Sequence, residues 1–217
     1  MEKDLWKIFE DECSKRGILL GREEIWKFQI YLKELISWNK AINLTGLKDY
    51  ERIVWELLLD SLIPLPSIPK VGKMLDMGSG AGFPAIPLKI VIPAYRIYMV
   101  ESNYKKCVFL RHIIRLLKLT EIEVVNERVQ SKKRIGTSFN LVTSKALGPF
   151  KTVAEYASLN LRPEGIFALY AGCGINQQLK ELEYILKGGN LRIEKIIPYD
   201  LPVGGISRKV CLIKKLS

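Results

Sequence analysis

The residues with the most chemical potential gather in one stretch, Met74-Leu75-Asp76-Met77-Gly78-Ser79-Gly80-Ala81-Gly82-Phe83-Pro84. Apolar residues from Val71 read as a buried parallel strand, three alternate glycines break it, and Ile86-Pro87-Leu88-Lys89-Ile90 continues as the first turns of a helix. Strand, tight turn and helix start together can hold a polar ligand. Glycine lets the ligand approach the backbone, and a helix N-terminus offers aligned N–H groups. The same turn could reverse the chain with no ligand at all, so a second ligand-directed residue is needed to decide.

Spacing supplies it. A dinucleotide fingerprint leaves two residues between its second and third glycines, which would put the third at Phe83; here it is Gly82, and Asp76 stands two before the first. Asp-x-Gly-x-Gly-x-Gly is the form found in S-adenosylmethionine enzymes. A second acid, Glu101, ends the next apolar run, Tyr95 to Val100, and lies 23 residues after Gly78. That is close to the ~20-residue offset of a carboxylate that grips ribose hydroxyls. Asp76, Gly78, Ser79, Gly80, Gly82 and Glu101 are therefore the candidate cofactor-binding set.

Other chemistries find little support. Cys13, Cys107, Cys173 and Cys211 are scattered without a C-x-x-C pair, and His112 is the single histidine, so no metal site and no disulfide framework is expected. His112 lies among Arg111, Arg115 and Lys118 and reads as a surface or packing residue rather than a general base. The formal charge of +11 suggests a polyanionic partner, because Lys and Arg gain affinity by displacing counterions from phosphates. A merely soluble basic surface would have the same composition.

The elements that must position these residues follow from pattern. From Leu5 to about Pro69 the chain reads as helical. Ile25, Phe28, Leu32, Leu35 and Ile36 form one apolar stripe that ends near Trp38-Asn39, and Ile53, Val54, Leu57, Leu58 and Leu62 form another between Asp49 and Ser61. Pro64, Pro66 and Pro69 break the pattern, which divides the chain into an N-terminal helical extension, 1–69, and a second domain, 70–217. Beyond the loop, strands at 95–100, 122–125, 139–143, 166–170, 191–197 and 208–213 alternate with helices at 104–117, 150–159 and 175–186. Alternation predicts an α/β fold: a Rossmann-like, mostly parallel seven-stranded sheet with helices on both faces. Ligands of such sheets bind at the C-terminal strand ends, where Gly78, Glu101, Glu127–Gln130 and Ser144-Lys145 fall. The opening Met1-Glu2-Lys3-Asp4 lacks the order of a signal peptide and no apolar run approaches the ~20 residues of a membrane span, so a cytoplasmic protein is expected.

Several motifs lie outside any generic nucleotide-binding pattern: Trp38-Asn39-Lys40, Asn43-Leu44-Thr45, Asp60-Ser61, the loop with Ile86-Pro87-Leu88, Phe109-Leu110-Arg111 and Glu127-Arg128-Val129. Together they resemble the bacterial ribosomal RNA small-subunit methyltransferase G family (RsmG, also called GidB), from about Leu32 to the end. The resemblance implies an S-adenosylmethionine-dependent enzyme that methylates N7 of a guanine in small-subunit (16S) rRNA, with rRNA or the 30S subunit as partner; the assembly expected is a monomer. It implies cofactor contacts at Gly78, Phe83, Glu101, Val129, Gln130 and Lys145, with Lys145 also placing the base or a phosphate. The chain departs from the family pattern where Asp becomes Glu101, Glu becomes Gln130, Arg becomes Lys145, Arg-His becomes Glu56-Leu57, Asp becomes Asn140 and Lys-Gly becomes Tyr170-Ala171. Those departures keep two further readings open: a non-catalytic cofactor- and RNA-binding relative, and a methyltransferase with another RNA target. A nicotinamide oxidoreductase is disfavoured by the glycine spacing.

Overall fold

The computed structural model describes residues 2–130, 134–145, 148–171, 186, 188 and 190–217. Two helices open the chain, α1 (Glu2–Lys15) and α2 (Arg22–Ile42). The Glu24 carboxylate accepts from the Gly21 amide at the start of α2, and Asn43 ends it in the left-handed conformation with φ 44°. The second apolar stripe forms a continuous helical run: α3 (Tyr50–Ile53), capped by the Asp49 carboxylate on the Arg52 amide, a π-helical stretch (Val54–Leu59), and α4 (Asp60–Leu62). The prolines that follow confine the connector to a short 3-10 turn at Leu65–Ser67.

Strands and helices then alternate: β1 (Gly72–Met77), α5 (Ala85–Val91), β2 (Tyr95–Val100), α6 (Tyr104–Leu116), β3 (Ile122–Val125), β4 (Phe139–Lys145), α7 (Phe150–Asn160), β5 (Leu161–Ala171), β6 (Leu191–Asp200) and β7 (Ser207–Lys215). The expected helix over 175–186 lies outside the described residues except at Leu186. The seven strands form one sheet in the order β3-β2-β1-β4-β5-β7-β6. β7 runs antiparallel to both its neighbours, and the remaining pairs are parallel.

Because successive side chains of a strand point to opposite faces, the pleat sorts the molecule into two cores. Leu75, Val142, Phe167 and Cys211 face Val153, Ala154 and Tyr156 of α7. Met74, Leu141, Ala168 and Leu212 face the other way, into a cluster shared with Trp6, Phe9, Phe28, Leu32 and Trp55. One apolar core thus runs across residue 69, from the helical extension onto the sheet. The same period of two carries a consequence for chemistry: Asp76, Thr143, Lys145, Tyr170 and Arg208 follow Met74, Leu141, Ala168 and Val210 on the face that the extension covers.

Candidate functional site at the strand ends

The glycine loop is braced from both sides. The amides of Gly78 and Ser79 both donate to the Val100 carbonyl, at 2.8 and 3.1 Å, and the Gly82 amide donates to Ser79 O at 2.6 Å. Glu101 accepts from the Gly80 amide through Oε2 (2.9 Å) and from the Asn103 amide through Oε1 (2.7 Å). Asn126 Nδ2 donates to the carbonyls of Glu101 and Ser102, at 2.9 and 3.1 Å, which ties the end of β3 to the end of β2. The sequence predicts that the glycines let a ligand approach the loop backbone and that the helix N-terminus offers the N–H groups. The loop amides of Gly78, Ser79, Gly80 and Gly82 are themselves spent on protein oxygens, so the loop shapes a cradle rather than an anion-binding nest.

The glycines divide the work. A Cβ on Gly82 (φ +101°) would stand 2.6 Å from Ile86, 3.0 Å from the Tyr31 hydroxyl and 3.1 Å from Leu110. Packing of the loop against α5, α6 and Tyr31 of the extension therefore requires glycine there. Tyr31, from α2, also donates to the Ala81 carbonyl at 2.6 Å and lies 5.2 Å, ring to ring, from Phe83. Gly80 is different: at φ +56° its nearest neighbour to an added Cβ is Gly78 O at 3.8 Å, so a side chain would enter the open side of the cradle.

Acceptors remain at this open side. Each Glu101 oxygen accepts from one backbone amide and has a second lone pair to offer. Asp76 is 1% exposed; its Oδ1 accepts from the Thr143 hydroxyl at 2.6 Å, while its Oδ2 is buried without a partner among the described residues. Burial pushes the Asp76 carboxyl up to about 7, against the hydrogen bond from Thr143 and with the charge of Glu101 adding to the rise. Spare acceptors suit a ligand bearing ribose hydroxyls and a cationic end, so the residues present fit S-adenosylmethionine. Val129 is half-buried against the α7-side cluster beyond the end of β3, and Gln130 is exposed.

Phe83 of the same loop leads to a second cluster of charged side chains. Lys145 Nζ sits 6.0 Å from the Phe83 ring, pairs with Asp60 Oδ2 at 2.6 Å and donates to the Glu56 carbonyl at 3.0 Å. Arg208, from the start of β7, donates to Asp60 Oδ1 (2.8 Å), Glu56 Oε2 (2.9 Å) and Glu56 O (2.9 Å). The Tyr199 hydroxyl donates to Asp60 Oδ1 at 2.6 Å, and the Tyr170 hydroxyl to Ser61 O at 2.8 Å. Burial would raise the Asp60 carboxyl, but the charges of Lys145 and Arg208 outweigh it and hold Asp60 below the usual carboxylate range. Burial likewise lowers the Lys145 ammonium, with Asp60 opposing. Glu56, Asp60, Lys145, Tyr170, Tyr199 and Arg208 wall a cavity of about 360 Å³ together with Leu47, Leu57 and Ala171.

Sequence reasoning named Lys145 here but missed its partners. Arg208 fell only within an expected strand, Asp60 only in a motif, Leu57 in an apolar stripe and in a departure from the family pattern, and Glu56, Tyr170 and Ala171 were singled out only as such departures. The signal was available in that the departures at Glu56, Leu57, Lys145, Tyr170 and Ala171 all fall on this one cavity.

Comparison with known proteins places this geometry. The family model described as rRNA small subunit methyltransferase G matches residues 24–194. The chain is 32% identical to the "Ribosomal RNA small subunit methyltransferase G" of Geotalea uraniireducens over 219 residues, covering 100% of both chains. It is 39% identical to the protein of the same name from Chloroflexus aggregans, covering 97% of this chain and 90% of that one. Among solved structures, the ribosomal protein L11 methylase of Lactobacillus delbrueckii subsp. bulgaricus superposes with a TM-score of 0.60 at 13% identity, over 80% of this chain and 81% of that one, which is a likeness of fold.

Proposed function

The chain belongs to the rRNA small subunit methyltransferase G family, and from that membership together with the two-part site we infer that it methylates N7 of a guanine in small-subunit (16S) rRNA, using S-adenosylmethionine. It acts in the cytoplasm, as a monomer, on the rRNA or on the 30S subunit. The observation that carries the reading is that one glycine loop joins two parts: its Gly80 amide is held by Glu101, which has lone pairs to offer, and its Phe83 ring lies 6.0 Å from Lys145 of the charged cavity.

S-adenosylmethionine, when bound, supplies an electrophilic methyl on a sulfonium that departs as a neutral thioether. Guanine N7 already carries an exposed lone pair, so the new N7–carbon bond forms as the carbon–sulfur bond breaks and no proton has to be removed. The site accordingly needs no histidine or cysteine base. What the chain contributes is position. Glu101 and Asp76 hold hydroxyl and cationic groups, Gly80 leaves the cradle open, and the helical extension, clamped by Tyr31 on the loop, shields the strand ends from water. Alignment of this kind is proximity catalysis.

Purified protein incubated with S-adenosylmethionine carrying a labelled methyl and with 30S subunits lacking the modification tests the reading. It predicts label in small-subunit rRNA as 7-methylguanosine, and no binding of NAD by titration. Binding of S-adenosylmethionine with no transfer to any RNA would favour the non-catalytic relative.

A further inference from the structure

The cavity beside Lys145 has an uneven inventory of hydrogen-bonding groups. Two carboxylates are shared among three cations, and each of their oxygens already accepts a hydrogen bond: Asp60 accepts from Lys145, Arg208 and Tyr199, and Glu56 accepts from Arg52 Nε (2.6 Å) and Arg208. Both tyrosine hydroxyls donate to the helical run behind the wall. The donors are not all consumed. Lysine has three N–H groups and arginine five, and Lys145 uses two of its three. Arg208 uses both groups on Nη1 and one on Nη2, which leaves Nε–H and one Nη2–H without an acceptor among the described residues. The volume, about 360 Å³, is at the lower end of small-ligand pockets.

A wall with more cations than carboxylates, every carboxylate oxygen already engaged and donors left over, favours an acceptor edge. Guanine presents two acceptors, O6 and N7, on its major-groove edge, whereas adenine presents an amino donor beside N7 and cytosine an amino donor at N4. With N7 committed to the incoming methyl, O6 is left for the wall. We propose that this cavity takes the target base and that Arg208 and Lys145 read its O6, with Asp60 and Glu56 as positioning residues that hold the two cations in place. Four features support the assignment. The cavity opens at the C-terminal ends of β4 and β5, where the register sets Lys145 beside Tyr170. Lys145 stands over Phe83 of the glycine loop, so a base in the cavity borders the cofactor cradle. Arg208 is fixed by three bonds to two acids, which gives its fork one orientation. A donor wall also penalises an amino group far more than it rewards a carbonyl, because buried donors facing a donor go unpaired.

This inference rests on the guanine-N7 reading, and the experiment separates the two. Once wild-type enzyme has located its target nucleotide, small-subunit rRNA is assembled by ligation with guanine, hypoxanthine or 2-aminopurine at that position. Hypoxanthine keeps O6 and N7; 2-aminopurine keeps N7 and loses O6. Wild-type enzyme should methylate hypoxanthine within about three-fold of guanine and 2-aminopurine at least about ten-fold more slowly, the loss of one charge-assisted hydrogen bond. In Arg208→Gln, and in Asp60→Asn as the positioning variant, the guanine to 2-aminopurine ratio should fall toward one while S-adenosylmethionine affinity stays near wild type. Equal rates on all three bases overturn the proposal, as does a loss on hypoxanthine with none on 2-aminopurine, which would place recognition at the 2-amino group. A ratio unchanged in folded Arg208→Gln overturns the role of Arg208, and if neither variant folds the wild-type comparison of bases still decides. No transfer by wild type to guanine would overturn the function reading itself and this inference with it.

Discussion

Glu101 spends one lone pair of each oxygen on loop backbone, so it can bind a ribose and still hold the shape of the cradle. Glu101→Ala should weaken S-adenosylmethionine binding by about 1.5–3 kcal/mol, the scale of hydrogen bonds to a charged group; calorimetry that finds affinity unchanged would put the ribose elsewhere. Asp76 gives a pH signature. Its carboxyl titrates near 7 in the folded chain against a reference of 3.8, so between those values the folded state binds more protons than the unfolded one. This group therefore lowers stability as pH rises from about 4 to about 7 and leaves it level above. A cationic ligand favours the ionised form, so S-adenosylmethionine affinity should rise between pH 6 and pH 8, and Asp76→Asn should flatten that rise. Wild-type affinity that is flat or falls over this interval would contradict an acid facing the ligand.

At the scale of elements, the two glycines of the loop predict opposite variants. Gly82→Ala forces a side chain into Ile86, Tyr31 and Leu110 and should cost roughly 1–3 kcal/mol, read as a lowered Tm. Gly80→Ala meets no such wall, pays roughly 1–2 kcal/mol for the left-handed backbone, and should lose more in S-adenosylmethionine affinity than in stability. A Gly82→Ala protein as stable as wild type would remove the brace between extension and loop. Much of this level was legible in sequence. β2 and β3 fall on their expected ranges because their apolar runs end sharply at Glu101 and Asn126. β5 begins earlier than the expected 166, because Arg162, Pro163 and Glu164 break the apolar pattern while Leu161 still pairs with Phe139 on β4. The π-helical stretch left no mark in the periodicity of Ile53 to Leu62, and a turn of that type often accompanies function. Its Glu56 carbonyl receives both Lys145 and Arg208. The partnership of Arg208 with Asp60 spans 148 residues, and a pairing that only strand order creates has no local signature.

Across the whole molecule, the extension and the sheet share one apolar core, so the helices that wall the base cavity cannot shift without disturbing the sheet. Among the described residues no helix is long and apolar enough to cross a membrane. The +11 charge is a property of the full chain and speaks to its partner. Binding to small-subunit rRNA should weaken by at least about ten-fold between 50 and 200 mM salt, since phosphate neutralisation releases counterions. Affinity indifferent to salt over that range would remove the polyanion reading, whatever the cofactor result. The most direct measurement of the central claim is mass mapping of small-subunit rRNA from cells with the gene deleted and from the same cells with it restored. Loss of one 7-methylguanosine on deletion and its return with the wild-type gene is the predicted result; rRNA with the same methylated guanines in both would contradict it.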